Sequence, residues 1–314
     1  TLFLTSGRRV EADFFAGAGE CRSLGTDRSR LPRLLRLLPA MLRARREAAR
    51  FQPHLVVSLG GLTGVAALAA GRRRPLVLLE GNRVIGRGVR LLRPWADAAL
   101  TLFPEPAEQL PGGRCVGPIG RRALAPLERA EACRRLGLDP SRPVLLLTGG
   151  SQGAMDLNRL VARLAPELAA RGVQLHAAAG AGKVEELAQA AREAGLTALV
   201  AAHHADMGAA YSAADLALCR GGAATVAELW LFRLPAVGVP YPGHADRQQE
   251  HNARALEPGV CVERDLGLAA ARLLELLDAP VRRQEMRDSL ASTAPADGLA
   301  MAVSLLEEMA APLA

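Results

Sequence analysis

The feature that most constrains the fold is a short uncharged run that ends in a glycine turn and gives way to a helix. Leu216-Ala217-Leu218 is such a run, Cys219-Arg220-Gly221-Gly222 is its turn, and the helix opening at Ala223 carries Glu228 on its first or second turn. Runs that are apolar at successive positions, rather than alternating, belong to strands buried on both faces, as in parallel sheets. The same pattern returns at Leu55 to Leu59 before Gly60-Gly61, at Pro75 to Leu79 before Glu80-Gly81-Asn82, and at Val144 to Leu147 before Gly149-Gly150-Ser151-Gln152-Gly153. Thr1 to Ser6, Ala98 to Phe103, Val173 to Ala178, Leu199 to Ala202 and Ala236 to Pro240 read as further strands. Pro140-Ser141-Arg142-Pro143 breaks the series in two. Strands alternating with helices in two units predict an α/β fold of two doubly wound Rossmann-like domains facing a cleft.

The turns carry the chemistry. Backbone amides at a glycine turn and a helix start are open to an anion, so Gly150 and Ser151, and the amides of Ala223, Ala224, Thr225 and Val226, are candidates for holding phosphate. A carboxylate placed as Glu228 is can accept two hydroxyl hydrogen bonds from a ribose. The polar loop Tyr241 to Asn252 follows a strand, where open parallel sheets place their ligands. No Gly-x-Gly-x-x-Gly turn with an acidic residue about 20 positions on is present, which disfavours a simple NAD-dependent enzyme.

Composition narrows the partners. The net charge of +7 is carried almost wholly by Arg and suits nucleotide diphosphates, lipid diphosphates or an anionic membrane surface. Aromatic residues make up 3%, too few for a base-stacking platform, so no nucleic acid is expected. No stretch of about 18 uncharged apolar residues predicts a membrane span. The scattered cysteines, Cys21, Cys115, Cys133, Cys219 and Cys261, have no metal spacing and fit a reduced, cytosolic protein. His203-His204 lacks an obvious third ligand, so no metal is expected. Leu31, Leu34, Leu35, Leu38 and Leu42 mark one helix face among arginines. That face is expected to pack on the sheet, with docking onto anionic lipid as the alternative. Pro39 is expected to kink the helix.

The stretch from Arg220 to Glu228, then Asp246-Arg247-Gln248-Gln249 with Asn252, together with Gly149-Gly150-Ser151-Gln152-Gly153-Ala154, resembles the MurG family of GT-B glycosyltransferases (family 28). The likeness extends over nearly the whole chain. It implies an enzyme that transfers N-acetylglucosamine, with inversion, from UDP-GlcNAc to lipid I, the undecaprenyl-diphospho-muramoyl-pentapeptide, giving lipid II in peptidoglycan synthesis. It implies no cofactor, and a peripheral position on the cytoplasmic face of the plasma membrane. On the donor it implies Asn82, Arg121, Gly150, Ser151, Gln152, His204, Met207, Arg220, Ala223, Ala224, Thr225, Val226, Glu228, Gln248 and Gln249. Within that set Glu228 takes the ribose, and Ser151 and Arg121 the diphosphate. Gln248 and Gln249 take the sugar hydroxyls, with Asn252 behind them, and the backbone at His204 reads the base edge. Gly60, Gly61, Thr63 and Glu80 fall on the acceptor side. The implied domains are 1–122 for the acceptor and membrane, 123–294 for the UDP-sugar, and 295–314 as a helix packing back on the first.

The chain departs from the family pattern at Leu79 and Gly81, which flank Glu80, at Pro118 in the linker, and at His204, where an apolar residue is usual. The family's first strand, and the glycine loop bearing its candidate basic His, have no counterpart. An N-terminal truncation is therefore expected and no catalytic base is assigned. Two alternatives stand beside this reading. One is another UDP-sugar enzyme of the same architecture, a glycolipid transferase or a UDP-GlcNAc 2-epimerase. The other is a non-catalytic UDP-sugar-binding protein.

Overall fold

A computed structural model describes residues 1–7, 11, 15, 18–26, 33–71, 74–119, 124–150, 153–243, 246–293 and 298–311. The chain forms two compact units, Thr1–Gly117 with Asp297–Ala314, and Pro118–Ala296.

In the first unit, β1 (Leu2–Thr5) pairs in parallel with β2 (Glu20–Ser23) as a separate two-stranded sheet. Four further strands, β3 (Val56–Ser58), β4 (Leu76–Glu80), β5 (Ala98–Thr101) and β6 (Gly113–Cys115), lie side by side in chain order, all parallel. The apolar-run rule misses β2 because Glu-Cys-Arg-Ser is polar and largely exposed.

The helix Arg33–Phe51 runs through Pro39 as one element. Its inward face is not the leucine stripe. Ala40, Ala44 and Ala48 are buried, while Leu35, Leu38 and Leu42 are 60%, 66% and 51% exposed. Small side chains let this helix approach the Ala-rich helix Gly61–Gly71, where Ala44 and Ala66 share one cluster with Leu24. Helix periodicity identifies the faces, but close packing selects the alanine one and leaves the leucines outward. The expected packing of the leucine face on the sheet is thereby corrected.

The second unit has one six-stranded parallel sheet. Its strands are β7 (Val144–Thr148), β8 (Gln174–Ala178), β9 (Thr197–Ala201), β10 (Leu216–Cys219), β11 (Ala236–Gly238) and β12 (Val260–Val262), in the order β12-β11-β10-β7-β8-β9. On one face Leu145, Leu147, Leu175 and Leu218 pack with Leu157, Val161, Leu187 and Leu273. On the other, Val144 packs with Ala132, Cys133, Ala209 and Ala213. Each fully buried leucine contributes about 1.5–3 kcal/mol. Both sheets use one device to set their register. The aspartate just before a strand accepts the first amide of the neighbouring strand: Asp97 Oδ2 from Leu76 N at 2.8 Å, and Asp215 Oδ2 from Val144 N at 2.8 Å. Arg129 grips Asp215 with both Nη atoms, at 3.0 and 2.8 Å.

The stretch Pro280–Ala310 is long and apolar enough to cross a membrane by length and composition. It comprises two described helices, Pro280–Thr293 and Gly298–Ala310, which belong to different units.

Candidate active site

The strand order of the second unit reverses between β7 and β10, since β8 and β9 extend from one side of β7 and β10 to β12 from the other. Open parallel sheets bind ligands at the C-terminal ends of the strands where this reversal occurs. Two glycine turns meet there. The turn after β7 contains Gly150 (φ +74) and Gly153 (φ +65) and leads into the helix Met155–Arg163. The turn after β10 is Arg220-Gly221-Gly222, leading into the helix Ala223–Leu231. A Cβ on Gly150 would meet nothing within 4 Å, and one on Gly222 would meet only Thr225 Oγ1 at 4.0 Å. Neither glycine is thus closely covered at its Cβ position by a described residue.

Gly221 is the opposite case. A Cβ there would overlap the backbone of Gln249 and lie 3.2 Å from Ala253 Cβ, so the β10 turn is packed against the helix Gln248–Arg254. Asn252, fully buried, donates from Nδ2 to the Gly221 carbonyl at 3.2 Å and fastens that contact. The amides of Ala223, Ala224 and Thr225 occupy the first helical turn, where no intrahelical acceptor exists. The Val226 amide donates to Gly222 O at 2.9 Å. Its expected role as a phosphate donor is corrected, because the helix itself takes that hydrogen.

Glu228 is half-buried and held from behind. Tyr211 Oη, on the helix Met207–Ala213, donates to Glu228 Oε2 at 2.6 Å. Tyr211 is 2% exposed and stacks on Phe232 with ring centroids 5.2 Å apart. One carboxylate oxygen is thus positioned by a residue that the motif does not contain. Gln249 Oε1 accepts from Tyr241 N at 2.8 Å, which joins the polar loop to its helix, and Gln248 lies half-buried at the helix start. Met207 opens its helix behind Asp206, whose Oδ1 caps Ala209 N at 2.9 Å.

Arg220, expected on the donor, is 7% exposed and already engaged. Its Nη2 donates to both oxygens of Asp156, at 2.5 and 2.6 Å, and its Nη1 to Val239 O at 2.8 Å. Asp156 sits in the first turn of the helix after β7, so this ion pair ties one glycine turn to the other. Geometry makes Arg220 a positioning residue here.

His204 Nε2 donates to Ala177 O at 2.9 Å, and its ring lies 3.8 Å from that of His176 on β8. His176 is fully buried and neither ring nitrogen has a hydrogen-bond partner among the described residues. Burial first, and the facing His204 second, push its imidazole down to about 3. Because the folded value lies below the unfolded one, near 6.5, the stabilisation is complete above 6.5 and is lost as pH falls toward the folded value. Unfolding free energy should drop by about 2 kcal/mol from pH 7 to pH 5 through this group. Denaturant melts of the native chain and His176→Leu across that window check it: the variant should lose the slope, and equal slopes would contradict the assignment.

In the first unit, Gly60 (φ +76) and Gly61 (φ +67) turn between β3 and the helix Gly61–Gly71. Gly88 packs so closely on this turn that a Cβ there would overlap Gly61 N. Thr63 shares a hydroxyl–hydroxyl hydrogen bond of 3.0 Å with Thr26. Glu80 is 2% exposed, and all its described bonds are local: Oε1 accepts from Asn82 N at 2.9 Å and Asn82 Nδ2 at 2.8 Å, and Oε2 from Gly86 N at 2.7 Å. Its carboxylate therefore shapes the loop after β4. Asn82, expected on the donor, lies in this unit against Glu80. Arg121, Ser151 and Gln152 lie outside the described residues.

A six-stranded parallel sheet with glycine turns at its order reversal, in a chain of two α/β units, defines the architecture of the GT-B glycosyltransferase class. Residues 144–295 match the glycosyltransferase family 28 C-terminal domain. Over 266 residues the chain is 38% identical to the UDP-N-acetylglucosamine--N-acetylmuramyl-(pentapeptide) pyrophosphoryl-undecaprenol N-acetylglucosamine transferase of Anaeromyxobacter sp. (strain K), covering 80% of this chain and 68% of that protein. The chain belongs to the MurG family. The crystal structure of Acinetobacter baumannii MurG is similar at a TM-score of 0.70 and 24% identity, over 97% of this chain and 90% of that one. The UDP-GlcNAc 2-epimerase of Neisseria meningitidis shares the fold at a TM-score of 0.64 and 10% identity, over 92% and 86% of the two chains.

Proposed function

We propose that the second unit holds UDP-GlcNAc across its two glycine turns and that the first unit receives the lipid-linked acceptor. The chain is a UDP-GlcNAc-dependent glycosyltransferase that adds N-acetylglucosamine to lipid I in peptidoglycan synthesis. The observation that carries the site assignment is the meeting of both turns at the strand-order reversal, with Glu228 braced by Tyr211 on the same edge.

In this reading Glu228 accepts the ribose hydroxyls through the carboxylate that Tyr211 orients. The amides of Ala223 to Thr225 face the diphosphate with Gly150 and Ser151. An acceptor hydroxyl oxygen forms the new bond to the anomeric carbon while the bond from that carbon to the β-phosphate oxygen breaks, with inversion, and the hydroxyl proton is released to a general base. Negative charge then grows on the departing UDP, and fixed amide dipoles at a helix N-terminus are suited to meet it without rearrangement. Gln248 and Gln249 would read the sugar hydroxyls from the helix that Asn252 ties to Gly221.

Docking on an anionic membrane surface is supported by the outward leucine stripe of Arg33–Phe51. Leu38, Leu42 and Arg45, with Arg74 and Trp95, line a groove of about 750 Å³ in the first unit. Apolar anchors beside arginines suit the interface of an acidic bilayer, as on the cytoplasmic face of the plasma membrane.

Glu228→Gln should weaken UDP binding by about 1–3 kcal/mol, the scale of hydrogen bonds to a charged group. Calorimetric titration with UDP checks this. Unchanged affinity would remove Glu228 from the site.

A further inference from the structure

Of the chain's 39 Lys and Arg residues, Lys183 alone is a lysine. It follows Gly180-Ala181-Gly182 in the loop after β8, and that loop is fastened to the glycine turn after β7. Gly153 packs so tightly on Ala179 and Gly180 that a Cβ would overlap their backbone. Asn158, 3% exposed, donates from Nδ2 to Ala179 O at 3.0 Å and to Lys183 O at 3.3 Å. Lys183 is half-buried, and its Nζ donates to Gly153 O at 3.4 Å. The ammonium group therefore lies along the wall of the turn at which the diphosphate is assigned.

Charge balance adds a second reason. A nucleoside diphosphate brings more than one negative charge to the site. The buried guanidinium of the β10 turn, Arg220, is matched by Asp156, so that pair contributes little net field. The amides of Ala223 to Thr225 supply partial charge only. A lysine ammonium is a compact point charge with three donors that can rotate onto phosphate oxygens, and it needs less width than a planar guanidinium between two closely packed glycine loops.

We infer that Lys183 supplies a side-chain cation that contacts the donor diphosphate, an inference that rests on the donor reading of the second unit. As UDP departs, the same ammonium offsets the charge that gathers on it. A loop clasp without phosphate contact is the competing role, and the two roles separate by ligand.

The test titrates the full chain, Lys183→Met and Lys183→Arg with UDP and with uridine at low and high salt, with a thermal melt of each variant as the folding control. Lys183→Met should lower UDP affinity by about tenfold or more, as expected for a lost charge-assisted contact. It should leave uridine affinity unchanged and flatten the salt dependence, while Lys183→Arg recovers part of the lost UDP affinity. Equal losses for UDP and uridine would overturn the inference in favour of the clasp, and unchanged UDP affinity would overturn it outright. A native chain that binds no UDP would instead defeat the donor reading, and the inference with it.

Discussion

Exchange of Glu250 for alanine is expected to cost about 1–2 kcal/mol of unfolding free energy, because it removes the one buried anion among three half-exposed guanidinium groups. Glu250 is 6% exposed on the helix Gln248–Arg254. It accepts from Arg247 at 2.9 and 3.1 Å, from Arg254 at 3.1 Å, and from Arg264 at 2.7 Å on each oxygen. The three arginines come from the loop before the helix, from its last turn, and from beyond β12, so the carboxylate gathers three segments. Without it, like charges face one another while only partly rehydrated. Burial pushes the Glu250 carboxyl up, but the hydrogen bonds from Arg254 and Arg247 outweigh it and hold the group below the usual carboxylate range. A folded value below the unfolded one means the stabilisation is present above the unfolded value and disappears as pH falls through the folded one. Denaturant unfolding at neutral pH should therefore separate Glu250→Ala clearly from the native chain, and the gap should close in acid. A loss below about 0.5 kcal/mol, the range of ordinary surface changes, would show that the cluster is solvated.

Asp156→Ala should act on both stability and binding. It leaves the buried guanidinium of Arg220 with Val239 O and the Tyr241 ring, 5.7 Å away, as its described partners but with no counter-ion. Stranding a buried charge costs about 3–5 kcal/mol, and because the Asp156 side chain is 42% exposed a loss of about 2–3 kcal/mol is expected. Since the pair joins the turn after β7 to the turn after β10, UDP affinity should fall as well, although Asp156 bears the same sign as the ligand. Melts combined with UDP titration check the two effects. Tighter UDP binding by Asp156→Ala would mean that Asp156 acts on the ligand by repulsion, rather than by holding Arg220.

The parts of the fold legible in the sequence are those that local pattern determines. β7 and β10 are continuous apolar runs because both of their faces are covered, and the glycine turns follow them directly. β2, β6 and β12 are three or four residues long, with polar or half-exposed members, so no run announces them. The helix Arg33–Phe51 shows why periodicity falls short. Its leucines mark a face, but only the packing of Ala40 and Ala44 reveals that the other face turns inward. In the site, Glu228 and the glycines are contiguous in the chain and readable. Their supports are not: Tyr211 lies 17 residues before Glu228, and Asp156 lies 64 before Arg220. Such pairs are set by the sheet order β10-β7-β8, which brings turns together that no local window contains. Glu80 shows the same limit, since its place after a strand is readable but its bonds to Asn82 and Gly86, which brace the loop, are not.

The most direct measurement of the donor assignment is calorimetric titration of this chain with UDP-GlcNAc, UDP-GalNAc and GDP-mannose. The two glycine turns, Glu228 and the Gln248–Gln249 helix start predict saturable binding of UDP-GlcNAc, weaker binding of the epimeric UDP-GalNAc, and none of GDP-mannose. Equal binding of all three, or of none, would contradict a UDP-GlcNAc site in the second unit.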